Sequence, residues 1–376
     1  MGKKKAIWLL IATSLLVIGC VIFGDVMMAL NWDFSILSTV RFETNEYEIS
    51  DTFQGINIVT DTADITFIPS EKVSVVCTEQ VNAKHSVCVK DGILQIEIVD
   101  RIKWYERIGL NFGTPKITVY IPQGQYEALT IVGSTGNVKI PGNYEFVRMD
   151  VHQSTGDVTC QAAVTDTMKI KTSTGCIRIE NGKVGHVELS VTTGNITASN
   201  VDCSGDMKVN VSTGKTSLTN VSCKNLATDG NTGDIVLKNV VVVEKLTIER
   251  TTGDVKFEGC DATEIDIKTD TGDVTGTLLS SKVFMCETNT GRVDVPKTTT
   301  GGKCEITTDT GDIHLQICFH AYKFFHSINM FEKTSVTLHM CNNRKITARK
   351  QTMCLLCHIR IFRLIGVFRQ NIIAAC

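Results

Sequence analysis

Asp157, Asp234, Asp254, Asp273 and Asp312 each follow a glycine at a fixed place in a repeating pattern, and Asn137 and Asn195 take that place at two other turns. Stacked one coil apart, Asp234, Asp254 and Asp273 form a row of like charges about 5 Å apart, which repel. A hard cation such as Ca²⁺ relieves that repulsion, which makes these three the metal candidates of the sequence. The competing reading is that each carboxylate accepts a local backbone N–H at a solvated turn. Lys215 and Arg292 interrupt the row, and no second acidic position completes a cage.

Cys203 and Cys223 both lie nine residues after their glycine. In adjacent coils their Cα atoms come within about 5 Å, inside disulfide range; the alternative is a pair of small core residues. Cys160, Cys286 and Cys304 fall on apolar positions. Cys354-Leu355-Leu356-Cys357-His358 matches the haem-attachment pattern, and with His339 and Cys341 it also has the ligand types of a zinc cluster. His85, His152, His186 and His314 are scattered through the chain. The sequence has no nucleophile triad, phosphate-binding loop, dinucleotide fingerprint or H-E-x-x-H. The expectation is a protein that is not an enzyme and carries no cofactor.

These residues are positioned by one dipeptide. Thr-Gly occurs at 135–136, Thr155-Gly156, Thr174-Gly175, Thr193-Gly194, Thr213-Gly214, Thr232-Gly233, Thr252-Gly253, Thr271-Gly272, 290–291 and 310–311. The spacing is 19 or 20 residues, the period of a stacked, one-dimensional fold. Two and four residues after each glycine the side chains are mostly apolar (Val158 and Cys160, Ile177 and Ile179, Ile235 and Leu237). Six and four before the next threonine they are apolar again (Met168 and Ile170, Leu246 and Ile248). Intervening positions such as Lys169, Glu188 and Lys256 are polar. This is period-2 alternation in two short strands per unit. A helical period does not fit. The fold class expected is all-β, a parallel β-solenoid with four apolar ladders inside, and one N-terminal transmembrane helix. Gly supplies the reversal between coils, and the threonines stack in a row able to exchange hydroxyl hydrogen bonds.

Residues 1–5 form a basic cytoplasmic stub. The uncharged run 6–24 is long enough to cross a bilayer as a signal anchor, and Lys3-Lys4-Lys5 places everything after Asp25 outside. The alternatives are a lipoprotein signal, in which Val17-Ile18-Gly19-Cys20 makes Cys20 the acylated residue, and a cleaved secretory peptide or buried helix. Residues 25–50 read as a linker with Trp32 and Phe34 at the membrane interface. Residues 51–130 read as irregular first coils and an N-terminal cap, with Asp91-Gly92 as a hairpin turn and Thr62-Ala63-Asp64-Ile65 as a degenerate repeat turn. Residues 131–316 are the repeats.

The Thr-Gly-Asp-Val units, the single N-terminal membrane segment and Thr62-Ala63-Asp64-Ile65 together resemble the bacterial putative adhesin family, over about residues 1–316. The resemblance implies β-strand-repeat proteins of unknown function, held at the bacterial cell envelope. It supplies no catalytic or binding residues.

After Gln316 the pattern stops. Residues 317–376 carry nine Lys/Arg against one acidic residue, against 29 and 39 before them. This tail is basic and Cys-rich with a single glycine, and two readings remain open for it. One is a frameshifted or read-through end; the other is a basic amphipathic membrane-contacting helix over Cys354–Ile373.

The functional expectation is a single-pass, membrane-anchored extracytoplasmic solenoid with a structural or binding role. Its partner would be a surface glycan or an envelope protein, and not nucleic acid. The alternative is an envelope sensory or regulatory protein that acts through a membrane partner. An enzyme of the polysaccharide-active β-helix kind needs carboxylates and aromatics clustered on one face, and the outward positions here are mostly Lys, Thr, Ser and Asn.

Overall fold

In the computed structural model the described residues are 3–32, 41–100 and 113–318. They form one helix, α1 (Lys3–Ala29), followed by strands joined in a single continuous 25-stranded sheet. The apolar stretch Ile7–Ala29, 23 residues long, is sufficient to cross a membrane and is not packed inside the protein. The helix continues past Asp25, where the sequence placed its end.

From residue 124 to residue 278 the chain is a parallel β-solenoid. Strand Tyr144–Thr155 pairs with Gly124–Thr135 on one side and Ala163–Thr174 on the other, always one repeat apart. The four expected inward rows are buried: Val158, Ile177, Ile196 and Ile235 in one, Cys160, Ile179 and Leu237 in the next, and Met168, Met207 and Leu246 with Ile170, Val209 and Ile248 in the others. Each buried side chain contributes roughly 1.5–3 kcal/mol before chain entropy is subtracted.

Four rows are too few. A third side of the coil buries Val201, Val221, Val240 and Cys260, and beside them Cys203, Cys223, Val242 and Ala262. It is reached because strands such as Ile196–Cys203 and Thr216–Cys223 bend and continue inward. The bend has its own device. Asn181, Asn200, Asn220 and Asn239 sit at φ of 56°, 54°, 53° and 51°, a region Asn tolerates better than most residues. Their amides link coil to coil: Asn200 donates to Asn181 at 3.0 Å, Asn220 to Asn200 at 2.8 Å and Asn239 to Asn220 at 3.0 Å. Gly259 (φ 64°) takes the next place.

Both ends depart from sequential stacking. At the N-terminal end the strands are β1 (Phe42–Glu48), β2 (Gly55–Thr62), β3 (Asp64–Pro69), β4 (Ser74–Gln80), β5 (Ala83–Lys90), β6 (Ile93–Asp100), β7 (Lys116–Ile121), β8 (Gly124–Thr135) and β9 (Val138–Ile140). The coil of β2 and β3 lies between that of β6 and β7 and that of β8 and β9. Its Thr62-Ala63-Asp64 is a genuine member of the row: Ala63 N–H bonds the Thr135 carbonyl at 2.9 Å and Asn137 N–H bonds Asp64 Oδ1 at 2.8 Å. Asp91 (φ 52°) and Gly92 (φ 73°) turn the β5–β6 hairpin as expected. Antiparallel β1, β4 and β5 finish this end, so the stretch read as a linker, 25–50, contains both the end of α1 and strand β1.

At the other end the coil of residues 302–317 inserts between those of 264–278 and 282–294. The glycine row therefore runs 253, 272, 311, 291. The terminal coil is the one visited earlier, and its inward positions are less covered: Val293 is 43% exposed and Phe284 only half-buried. Pairing continues beyond Gln316: Ile317 is in register with Leu278, and Cys318 N–H bonds the Leu278 carbonyl at 2.8 Å. The readings of the tail from 319 onward, including Cys354-x-x-Cys357-His358, lie outside the described residues.

Candidate functional site

The Thr-Gly turn is held by main-chain bonds. Gly156 N–H donates to the Thr174 carbonyl at 2.9 Å, Gly175 N–H to Thr193 at 3.0 Å and Gly194 N–H to Thr213 at 2.9 Å. The threonine side chains at 155, 174 and 193 are exposed, and the bonds recorded along this row are those of the backbone. The glycines are packed too closely for any other residue. A Cβ on Gly194 would lie 1.9 Å from the Gly175 carbonyl oxygen.

The aspartates after them form a bonded row. Asp234 Oδ1 accepts from Asp254 N–H at 3.2 Å, Asp254 Oδ1 from Asp273 N–H at 2.9 Å, and Asp273 Oδ1 from Asp312 N–H at 2.8 Å. Asn137 and Asn195 do the same toward Asp157 and Lys215. One oxygen of each carboxylate is thus committed to the next coil's backbone, which accounts for Asp or Asn at the turn without a cation. The interruptions also fit. Lys215 needs only its own N–H, which donates to Asn195 Oδ1 at 2.8 Å. Arg292 stands on the last coil, where no further N–H follows; it gives Asp312 Oδ1 a backbone bond at 2.8 Å and Oδ2 a guanidinium contact at 3.1 Å.

Cys203 and Cys223 are both free and buried. Cys203 donates its thiol to the Gly185 carbonyl at 3.3 Å, and burial pushes the Cys223 thiol up to about 12. Cys20 is an exposed position of α1.

Two buried polar features escaped the sequence reading. Arg250 occupies an inward position and passes over Gly230 to bond the Val211 carbonyl, two coils away, at 2.8 Å; its Nε and Nη2 have no partner. The second is a cluster in the N-terminal cap. Cys77 and Glu79 are alternate residues of β4 and share its buried side, and His85 is the third residue of β5. Glu79 Oε2 lies 2.6 Å from His85 Nδ1 and accepts His85 N–H at 2.7 Å. Glu79 Oε1 accepts from Asn45 at 2.9 Å, His85 Nε2 meets Thr60 Oγ1 at 3.0 Å, and Tyr47 donates to the His85 carbonyl at 3.1 Å. Burial, and then the Glu79 charge, pushes the Cys77 thiol up to about 12. Among the described residues this is the group of His, Cys, Asp and Glu side chains whose donor atoms converge within 4.8 Å. His85 is therefore not isolated. The signal was present in the alternation Val75-Cys77-Glu79, where an acid takes an inward position and so requires a buried partner.

A solenoid of short parallel strands, preceded by one apolar helix and closed by an antiparallel cap, defines a class of repeat protein. A family model described as Toastrack DUF4097 matches residues 53–208 and 202–324, and the chain belongs to that family. No curated protein matches it. Solved structures similar to it include a putative adhesin from Bacteroides fragilis NCTC 9343, 14% identical over 73% of this chain and 97% of that one, with a TM-score of 0.40. Another putative adhesin, from Parabacteroides merdae ATCC 43184, is 12% identical over 63% and 96%, with a TM-score of 0.43. A third, from Parabacteroides distasonis ATCC 8503, is 11% identical over 72% and 98%, with a TM-score of 0.38.

Proposed function

We propose that this chain is a membrane-anchored extracytoplasmic β-solenoid with a structural or binding role. Helix α1 holds it in the cell membrane, the lysines at its start stay in the cytoplasm, and the repeats stand outside. The observation that supports this most is the 23-residue apolar helix beside a solenoid that already buries its own core. A helix this apolar, exposed from Ile7 to Phe23, has its natural solvent in lipid.

The flank of the solenoid is polar and hydrogen-bonding, laced by coil-to-coil ion pairs such as Lys169–Glu188 at 3.4 Å and Lys245–Glu264 at 3.4 Å. That surface suits a hydrated partner, a surface glycan or an envelope protein, better than an apolar one.

The test is the mass of the chain extracted from cell membranes. An intact N-terminus supports the helical anchor, whereas a chain that begins at a diacylated Cys20 replaces it with a lipid anchor and contradicts the spanning helix. A chain cleaved within residues 6–30 and recovered in the soluble fraction contradicts it. Affinity capture that returns one membrane protein, with no glycan bound on an array, would favour the regulatory alternative.

A further inference from the structure

We propose that Cys77, Glu79 and His85 form a binding site for a divalent transition-metal ion, zinc by the character of its donors, which staples the N-terminal cap. A thiolate, an imidazole nitrogen and a carboxylate are a zinc ligand set. The three come from neighbouring strands and converge in a dry interior.

The surroundings orient each donor. His85 Nε2 lies 3.0 Å from Thr60 Oγ1; with Nε2 protonated and donating to that hydroxyl, Nδ1 is the ligating atom, and a metal-bound histidine is ordinarily fixed through its other nitrogen in this way. Asn45 holds Glu79 Oε1, which leaves Oε2 on the side of His85 and Cys77.

The binding step balances in protons and bonds. The 2.6 Å contact between His85 Nδ1 and Glu79 Oε2 holds one hydrogen-bonding proton. When M²⁺ binds, that proton and the Cys77 S–H proton leave to solvent, and three bonds form, to Cys77 Sγ, His85 Nδ1 and Glu79 Oε2. The Nδ1–Oε2 separation must open from 2.6 Å to roughly 3.3 Å, the edge of a tetrahedron with zinc bonds of about 2.0–2.1 Å.

The consequence is structural. The cap consists of β1, β4 and β5, which pair antiparallel on the terminal coil, and Glu79, Asn45, Tyr47, His85 and Thr60 already tie these strands to β2. The site does not depend on the membrane-anchored reading.

The experiment uses the full chain, extracted in detergent without chelator from cells grown with added zinc, and measures bound metal by mass spectrometry. About one zinc per chain is expected, lost in Cys77→Ser and in His85→Gln and kept in Cys88→Ser. The tail cysteines Cys354 and Cys357 are unchanged in these variants, so zinc held there would persist. Because a variant of the cap could misfold, the wild-type chain is also stripped and reloaded with Co²⁺. A thiolate-to-cobalt absorption band, together with a raised unfolding temperature, is expected. A folded wild-type chain that holds no zinc and develops no such band overturns the proposal, as does zinc that survives both substitutions.

Discussion

Asn220 donates its side-chain amide to Asn200 Oδ1 at 2.8 Å, and both residues sit in the left-handed region, at φ 53° and 54°. The same side chain thus makes the bend conformationally acceptable and bonds it to its neighbour. Asn220→Ala removes the bond on both sides, to Asn200 and from Asn239, and places at this φ a residue that tolerates it less well than Asn. A loss of about 1–3 kcal/mol is expected, read as a lower urea midpoint. Asn220→Gly keeps the conformation and loses only the bonds, so it should cost less.

Gly194 is one of the most tightly constrained positions of the turn row. Its φ is +142° and an added Cβ would meet the Gly175 carbonyl at 1.9 Å and the Gly175 backbone nitrogen at 3.3 Å. Neither neighbour is a side chain that can move aside. Gly194→Ala should cost more than about 4 kcal/mol and divide the array at that coil, since each repeat is stabilised by its neighbours. Limited proteolysis should then cut near residue 194, where the parent chain resists.

Arg250 stands where Thr172, Thr269 and Thr308 occupy the same inward position of other coils. Its guanidinium is buried with Nε and Nη2 unpartnered, and burial lowers its pKa against the opposing pull of Asp229 and Asp234. Unpaired buried polar groups cost about 1–3 kcal/mol. Arg250→Thr is therefore expected to leave the urea midpoint unchanged or raise it. A fall of several kcal/mol would show that the bond to Val211 outweighs the burial cost.

The buried thiols set an alkaline limit. Burial pushes the thiols of Cys160, Cys223 and Cys304 up from an ordinary value near 9.0 to about 12. Below the unfolded value both states hold the proton and stability is flat. Between about 9 and about 12 the unfolded chain loses the proton and the folded chain keeps it. Stability therefore falls as pH rises, by about 1.4 kcal/mol per pH unit for each such thiol. Urea midpoints across this range should decline less steeply in Cys160→Ala than in the parent chain.

Much of this fold is legible because its determinants are local and periodic. Val158 and Cys160, or Met168 and Ile170, declare their inward direction by alternation, and Thr62-Ala63-Asp64 betrays a first coil by its likeness to the others. The Asn row at 181, 200, 220 and 239 keeps the same period, six residues after each glycine, and could have been read with it. Stacking order is different. The spacing from Gly272 to Gly291 to Gly311 is regular, yet the last coil slips between the two before it and pairs with Ile265 and Val274; a period in the chain does not encode the order in which coils stack. The cap cluster was hidden for a similar reason: His85 meets Glu79 through an antiparallel hairpin and Asn45 meets it from a segment that reads as a linker.

The membrane-anchored, outward-facing solenoid is tested most directly at Cys88, an exposed thiol on β5. Intact cells stripped of their wall are treated with a membrane-impermeant maleimide, and labelling of the parent chain is compared with that of Cys88→Ser. The expected result is labelling of Cys88 without lysis and recovery of the label with the membrane. Labelling that requires lysis, or labelled chain released into the medium, would contradict the account.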